Sequence, residues 1–182
     1  MTNDQLNKGF TLVETIIYIA IVSIFFWVAL GFFWQMKQAE TTGSISREVK
    51  ENTAQVIELF RQAVRNGENV NEGASQFGID PGSLTLVYPG GNRVFDTYEK
   101  SVTIGGVSVD VRKLRLTYGG QSYDLTSDRV DVDQFLLSNF TQGAEPNVVQ
   151  MEFQLSNVNP GGDPDYDESL SARITANVRQ EQ

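Results

Sequence analysis

The sequence predicts an α+β protein: one long N-terminal helix, apolar in its first half and amphipathic in its second, packed on an antiparallel β-sheet. Three observations carry this. From Thr15 to Trp34 there is no Asp, Glu, Lys, Arg, Asn, Gln or Pro. From Ile45 to Val64 the apolar residues recur at helical spacing. From Leu84 onward the hydrophobic period becomes two.

Composition narrows the chemistry before any motif is read. The chain has 182 residues, with 23 acidic against 14 basic and a net charge of −9. Phosphate binding needs a basic face, so no direct nucleic-acid contact is expected. With no cysteine there is no disulfide, thiolate metal site or cysteine nucleophile. With no histidine, the commonest general base and metal ligand is missing too.

Residues 10–34 read as a transmembrane helix. The twenty residues from Thr15 to Trp34 rise about 30 Å as a helix, the hydrocarbon thickness of a bilayer. A core helix of a soluble domain would show a polar stripe over that length, and none is present. A cleaved secretory signal would have a shorter apolar core closed by small residues. Here Gln35-Met36-Lys37-Gln38 follow, and Phe32-Phe33-Trp34 stand directly after Ala29-Leu30-Gly31. Trp34 suits the membrane interface. Lys8 before the span and Lys37 after it leave the orientation undecided by charge alone.

One carboxylate, Glu14, stands at the mouth of the span. Near the surface it snorkels to the headgroups. Held deeper, it costs roughly 2.5–3.5 kcal/mol at mid-membrane unless a cation meets it.

The run Lys8-Gly9-Phe10-Thr11-Leu12-Val13-Glu14, leading at once into the hydrophobic helix, closely resembles the N-terminal signature of type IV pilins and type II secretion pseudopilins. The resemblance implies that residues 1–9 are a leader peptide. A membrane prepilin peptidase would cut between Gly9 and Phe10 on the cytoplasmic side and methylate the new Phe10 amine. Glu14 would then be the assembly glutamate, meeting that amine in its own chain or in an axially shifted neighbour. In the second case the ion pair acts as a register device between subunits. The implied partners are the peptidase/methyltransferase, other pilin or pseudopilin subunits, an inner-membrane assembly platform and membrane lipid. The implied location is the inner membrane, single-pass with the C-terminal domain extracytoplasmic, and then the pilus or pseudopilus. The span has no proline, with Gly31 its only comparable weak point, and there is no cysteine for a C-terminal disulfide. Both depart from common family patterns and point to a minor subunit.

Residues 35–66 are expected to extend the helix. Ile45, Val49, Val56, Ile57, Phe60 and Val64 fall on one arc, while Arg47, Glu48, Lys50, Glu51, Glu58, Arg61 and Arg65 fall outside it. Thr41-Thr42-Gly43-Ser44 is a weak helical stretch where a bend is expected, and Asn66-Gly67 is a stop signal. Residues 67–83 read as a polar connecting loop with a short turn near Ser75–Phe77. Residues 84–182 read as the sheet domain. Val149, Met151, Phe153 and Leu155 alternate with polar residues, as do Leu170, Ala172, Ile174, Ala176 and Val178. Gly105-Gly106 and Gly119-Gly120 are two-residue hairpin signals, and Leu84–Tyr88 and the run around Phe95 are further strands. Long helix, long connection and many strands together are similar to the larger minor pseudopilins, the J type above all.

Between the two cleanest strands lies "NPGGDPDYDES", with Asp163, Asp165 and Asp167 at alternate positions and Glu168 beside them. These four are candidate calcium ligands. The EF-hand pattern is absent, so a solvated acidic turn is the first reading; the resemblance keeps calcium beside it, because several pseudopilins hold it in C-terminal loops. The run Ser127–Asp133 reads instead as a strand with its aspartates outward.

Two other function classes stand beside the filament subunit. A permanently anchored binding or sensor module would keep its leader and tolerate loss of Glu14. An anchored enzyme would need converging polar groups, and no Ser-His-Asp set, phosphate-cradling loop or zinc pattern is present.

Overall fold

The computed structural model describes residues 11–140 and 148–178. It comprises two compact units, Met1–Thr41 and Thr42–Gln182. One helix, α1 (Leu12–Asn66), runs through both.

In the first unit every described residue from Thr11 to Glu40 is exposed. The helix is long and apolar enough to cross a membrane, by length and composition. Two of its hydroxyls are satisfied within the helix. Ser23 Oγ donates to the Ile19 carbonyl at 2.7 Å and Thr15 Oγ1 to the Thr11 carbonyl at 3.3 Å, so neither needs water. The weak stretch Thr41–Ser44 stays helical.

In the second unit, α1 buries the face the pattern predicts. Val49, Val56, Phe60 and Val64 are buried, and Ile45 and Ile57 are half-buried. Asn52, Thr53 and Ala63 join that face. The two polar residues are tolerated because both find partners. Thr53 Oγ1 donates to the Val49 carbonyl, while Asn52 donates to the Glu48 carbonyl and accepts from Ser127 N, each at 2.8 Å. The helix stops as predicted: Gly67 N bonds the Ala63 carbonyl at 3.0 Å, and the Tyr88 hydroxyl donates to the same oxygen.

The strands are β1 (Asn69–Val70), β2 (Leu84–Val87), β3 (Arg93–Ile104), β4 (Val107–Tyr118), β5 (Gln121–Asp124), β6 (Val130–Asn139), β7 (Val148–Asn157) and β8 (Ser169–Asn177). All pairings are antiparallel. Both glycine hairpins form. Gly105 and Gly106 take φ of +59° and +87°, and Gly119 and Gly120 +59° and +76°. Positive φ at both central residues is what a type I′ turn requires. Ile104 therefore pairs with Val107, and Tyr118 with Gln121.

The expected single sheet is two. One has the order β1-β2-β3-β4-β5 and the other β6-β7-β8. The division has a local cause. Where β4 leaves β5, the Arg112 amide donates to the Asp131 side chain at 2.7 Å, and Asp131 also accepts from Val132 N at 2.9 Å. A carboxylate takes the place of a strand backbone there, so no ladder joins β4 to β6.

The connection 67–83 is more ordered than expected. It carries β1, a 3₁₀ turn at Glu72–Ala74 capped by Asn71, and a bridge between Gln76 and Ser83. It also closes one edge of β6. Gly78 N and Gly82 N bond the carbonyls of Leu137 and Phe135 at 2.8 and 2.9 Å, and Asp80 accepts from Phe135 N at 2.8 Å.

The core lies between α1 and both sheets. Phe60 meets Phe95 edge-to-face, with centroids 5.8 Å apart at 70°. Val149, Met151, Phe153 and Leu155 are all buried, as their alternation predicts.

Lys113 breaks the polar-out rule, being fully buried. Its ammonium donates to the Thr126 carbonyl and lies 3.3 Å from Asp128; Asp128 also holds Lys100 at 2.9 Å. Burial pulls the Lys113 pKa below the ordinary lysine value, and Asp128 opposes this. In the window below the free-lysine value of about 10.4, the unfolded chain binds the proton better, so this group adds stability as pH rises. Lys113→Met is expected to stay within about 1–2 kcal/mol of wild type at neutral pH and to lose that alkaline gain. Asp128→Ala, which leaves the ammonium short of its anion, is expected to destabilise more. Denaturant unfolding across a pH series reads both effects.

Candidate functional site: the head of the apolar helix

Threonine is a good N-cap and glutamate a good third helical residue. Thr11-Leu12-Val13-Glu14 supplies both, immediately before the apolar run. The structure shows the reciprocal bonds. Thr11 N and Thr11 Oγ1 each donate to Glu14 Oε2 at 3.1 Å, and Glu14 N donates to Thr11 Oγ1 at 3.3 Å. This is a capping box. It uses two of the donors at the helix head and sets the Glu14 charge at the positive end of the helix dipole.

Glu14 is thus held by its own chain at the start of α1, with one carboxylate oxygen engaged and the whole turn exposed. Gly9 and Phe10, the expected cleavage and methylation residues, lie outside the described residues. Thr11 is a residue that the sequence reading passed over. The signal was present, since Thr-x-x-Glu ahead of an apolar run is itself a helix-start pattern.

Comparison with known families bears on the same turn. Residues 5–30 match the prokaryotic N-terminal methylation motif. The methylation motif takes in Gly9, Phe10, Thr11, Glu14 and the apolar run as far as Leu30, and the chain from Gly31 on lies outside it. It implies processing by a prepilin peptidase and assembly with pilin-like subunits. No curated protein and no solved structure matches the chain.

The acidic loop, where Asp163, Asp165, Asp167 and Glu168 are the candidate calcium ligands, is held by hydrogen bonds of its own. A 3₁₀ turn covers Pro164–Tyr166. Asn159 Nδ2 donates to the Asp163 carbonyl and to the Asp167 carboxylate, each at 2.7 Å. Glu168 accepts from Ser46 Oγ on α1 at 3.1 Å, and its amide donates to Asn157 Oδ1 at 2.8 Å. These bonds close the loop and tie it to the helix. The Asp165 side chain lies outside the described residues. Among the described residues, no three acidic groups come together to hold a metal ion. In the Ser127–Asp133 run, Val130 and Val132 are buried and Asp133 is exposed on β6, as the alternation predicts, but Ser127–Arg129 precede the strand and Asp131 is half-buried against the β4 backbone.

Proposed function

We propose that the chain is a subunit of a type IV pilus or type II secretion pseudopilus. The observation that carries this reading is the methylation motif over residues 5–30, with Glu14 boxed by Thr11 at the head of a helix whose described apolar side chains are exposed as far as Met36. The peptidase cuts after Gly9 and methylates the Phe10 amine. The freed amine and Glu14 then form an ion pair between neighbouring subunits, and the apolar helices pack side by side as the filament core. Sheet domains face outward and carry specificity. The roles of Gly9, Phe10 and Glu14 are part of this proposal.

A minor place in the filament, of the J type, is the narrower reading. It is supported by the span without proline, the chain without cysteine and the ordered connection between helix and sheet.

The test is the intact mass of the protein extracted from membranes that contain an active peptidase. Loss of Met1–Gly9 with one added methyl is the expected result. A full-length mass would instead support a permanently anchored module that never polymerises.

A further inference from the structure

We propose that the groove between the end of α1 and the end of β8 receives the acidic loop, residues 163–168, of a second copy of this chain. The proposal rests on the filament reading with copies of this chain as neighbours, and not on the narrower minor reading, and adds a contact between sheet domains to it.

The groove is lined by Glu58, Arg61, Gln62, Arg65, Asn66 and Asn177. Beyond Asn66 the chain has 17 acidic against 8 basic residues, so two arginines on one groove stand against the general charge. Among the described residues Arg61 pairs with Glu58 alone, at 3.4 Å and with both side chains largely exposed. Such a pair contributes little and exchanges readily. Arg65 sits in the last turn of α1, where the helix dipole favours a cation. Among the described residues no carboxylate pairs with it.

The complementary feature is the loop. Four of the six residues 163–168 are acidic, and no Lys or Arg occurs from Val158 to Ala172. The Ser46–Glu168 bond places the loop beside the early part of α1 in this unit. From there β8 runs to the groove at Asn177. The nine residues of β8 span about 30 Å, and α1 from Ser46 to Arg61 or Arg65 rises about 22–29 Å. Loop and groove therefore cannot meet within one chain. They can meet between copies when a second copy lies beside the first and is displaced along the helix by about that distance. The contact joins different ends of two copies, so each copy still presents one groove or one loop to the next. Repeated, it gives an open assembly and not a closed dimer. Planar guanidinium groups suit carboxylates at such a contact.

The chain has no cysteine, so introduced thiols are the only ones. The experiment uses full-length Arg65→Cys/Asp167→Cys chain, in cells with the assembly machinery, treated with a bismaleimide long enough to bridge a salt-bridged pair. A ladder of dimers, trimers and higher species is expected from the double variant. Each single variant should give monomer alone, and the two singles expressed together should give dimer alone. Separately, Arg65→Glu should lower filament yield several-fold and Asp167→Arg in the same chain should restore it. Sedimentable filaments with unlinked chains would overturn the groove contact and leave the filament reading standing. Dimers from a single variant would show a symmetric contact and overturn it as well. A ladder that forms only after residues 179–182 are deleted would assign the groove to the chain's own tail. Unprocessed chain with neither filaments nor links would bring down both readings.

Discussion

Glu14→Gln is expected to stop filament assembly almost completely while leaving leader removal and membrane insertion unchanged. The substitution separates two roles of one side chain. Glutamine also serves at the third position of a capping box, so the bond from Thr11 N keeps an acceptor and the helix start is retained. What disappears is the charge. In the proposed filament the Phe10 amine would be left buried without its anion, which typically costs about 3–5 kcal/mol. That lowers the association constant by two to three orders of magnitude or more. Thr11→Ala makes the converse change. It keeps the charge and removes the cap, at about 1 kcal/mol, and should reduce filament number far less. Sheared filaments quantified by immunoblot, beside the processed chain in membranes, read both variants. Wild-type filament numbers from Glu14→Gln would end the electrostatic account.

Phe60→Ala is expected to be the most damaging change in the sheet-bearing unit. Phe60 is wholly buried on the face of α1 that lies on the core, edge-on to Phe95, which is equally buried. Truncating a buried phenylalanine costs about 3–5 kcal/mol in lost transfer energy and residual cavity. A domain of this size has only about 5–15 kcal/mol in total. The variant should therefore unfold at much lower denaturant than wild type and be cut rapidly by protease in detergent solution. Phe60→Leu, which keeps most of the volume, should cost much less. Similar midpoints for the Ala variant and wild type would mean that the helix does not rely on this contact.

Most of the framework was legible because the signals are local. The span needs only an apolar run of bilayer length. The hairpins at Gly105-Gly106 and Gly119-Gly120 need only two residues that accept positive φ. The inward residues of β7 follow from a period of two. The Thr11–Glu14 box was equally local and was legible in principle.

By itself the sequence determined a membrane-length helix with a processing motif at its head, an amphipathic extension and a set of antiparallel strands. Each of these depends on residues a few positions apart. Only the tertiary structure decided that the strands form two sheets, because Asp131 satisfies an amide of β4 that lies 19 residues away. It alone decided that the connection closes the edge of β6, that Lys113 is buried against the Thr126 carbonyl, and that Glu168 ties its loop to Ser46 across 122 positions. Hydrogen bonds between distant side chains and backbone leave no periodic trace in composition or pattern. They are chosen by which polar groups the packed core brings within reach.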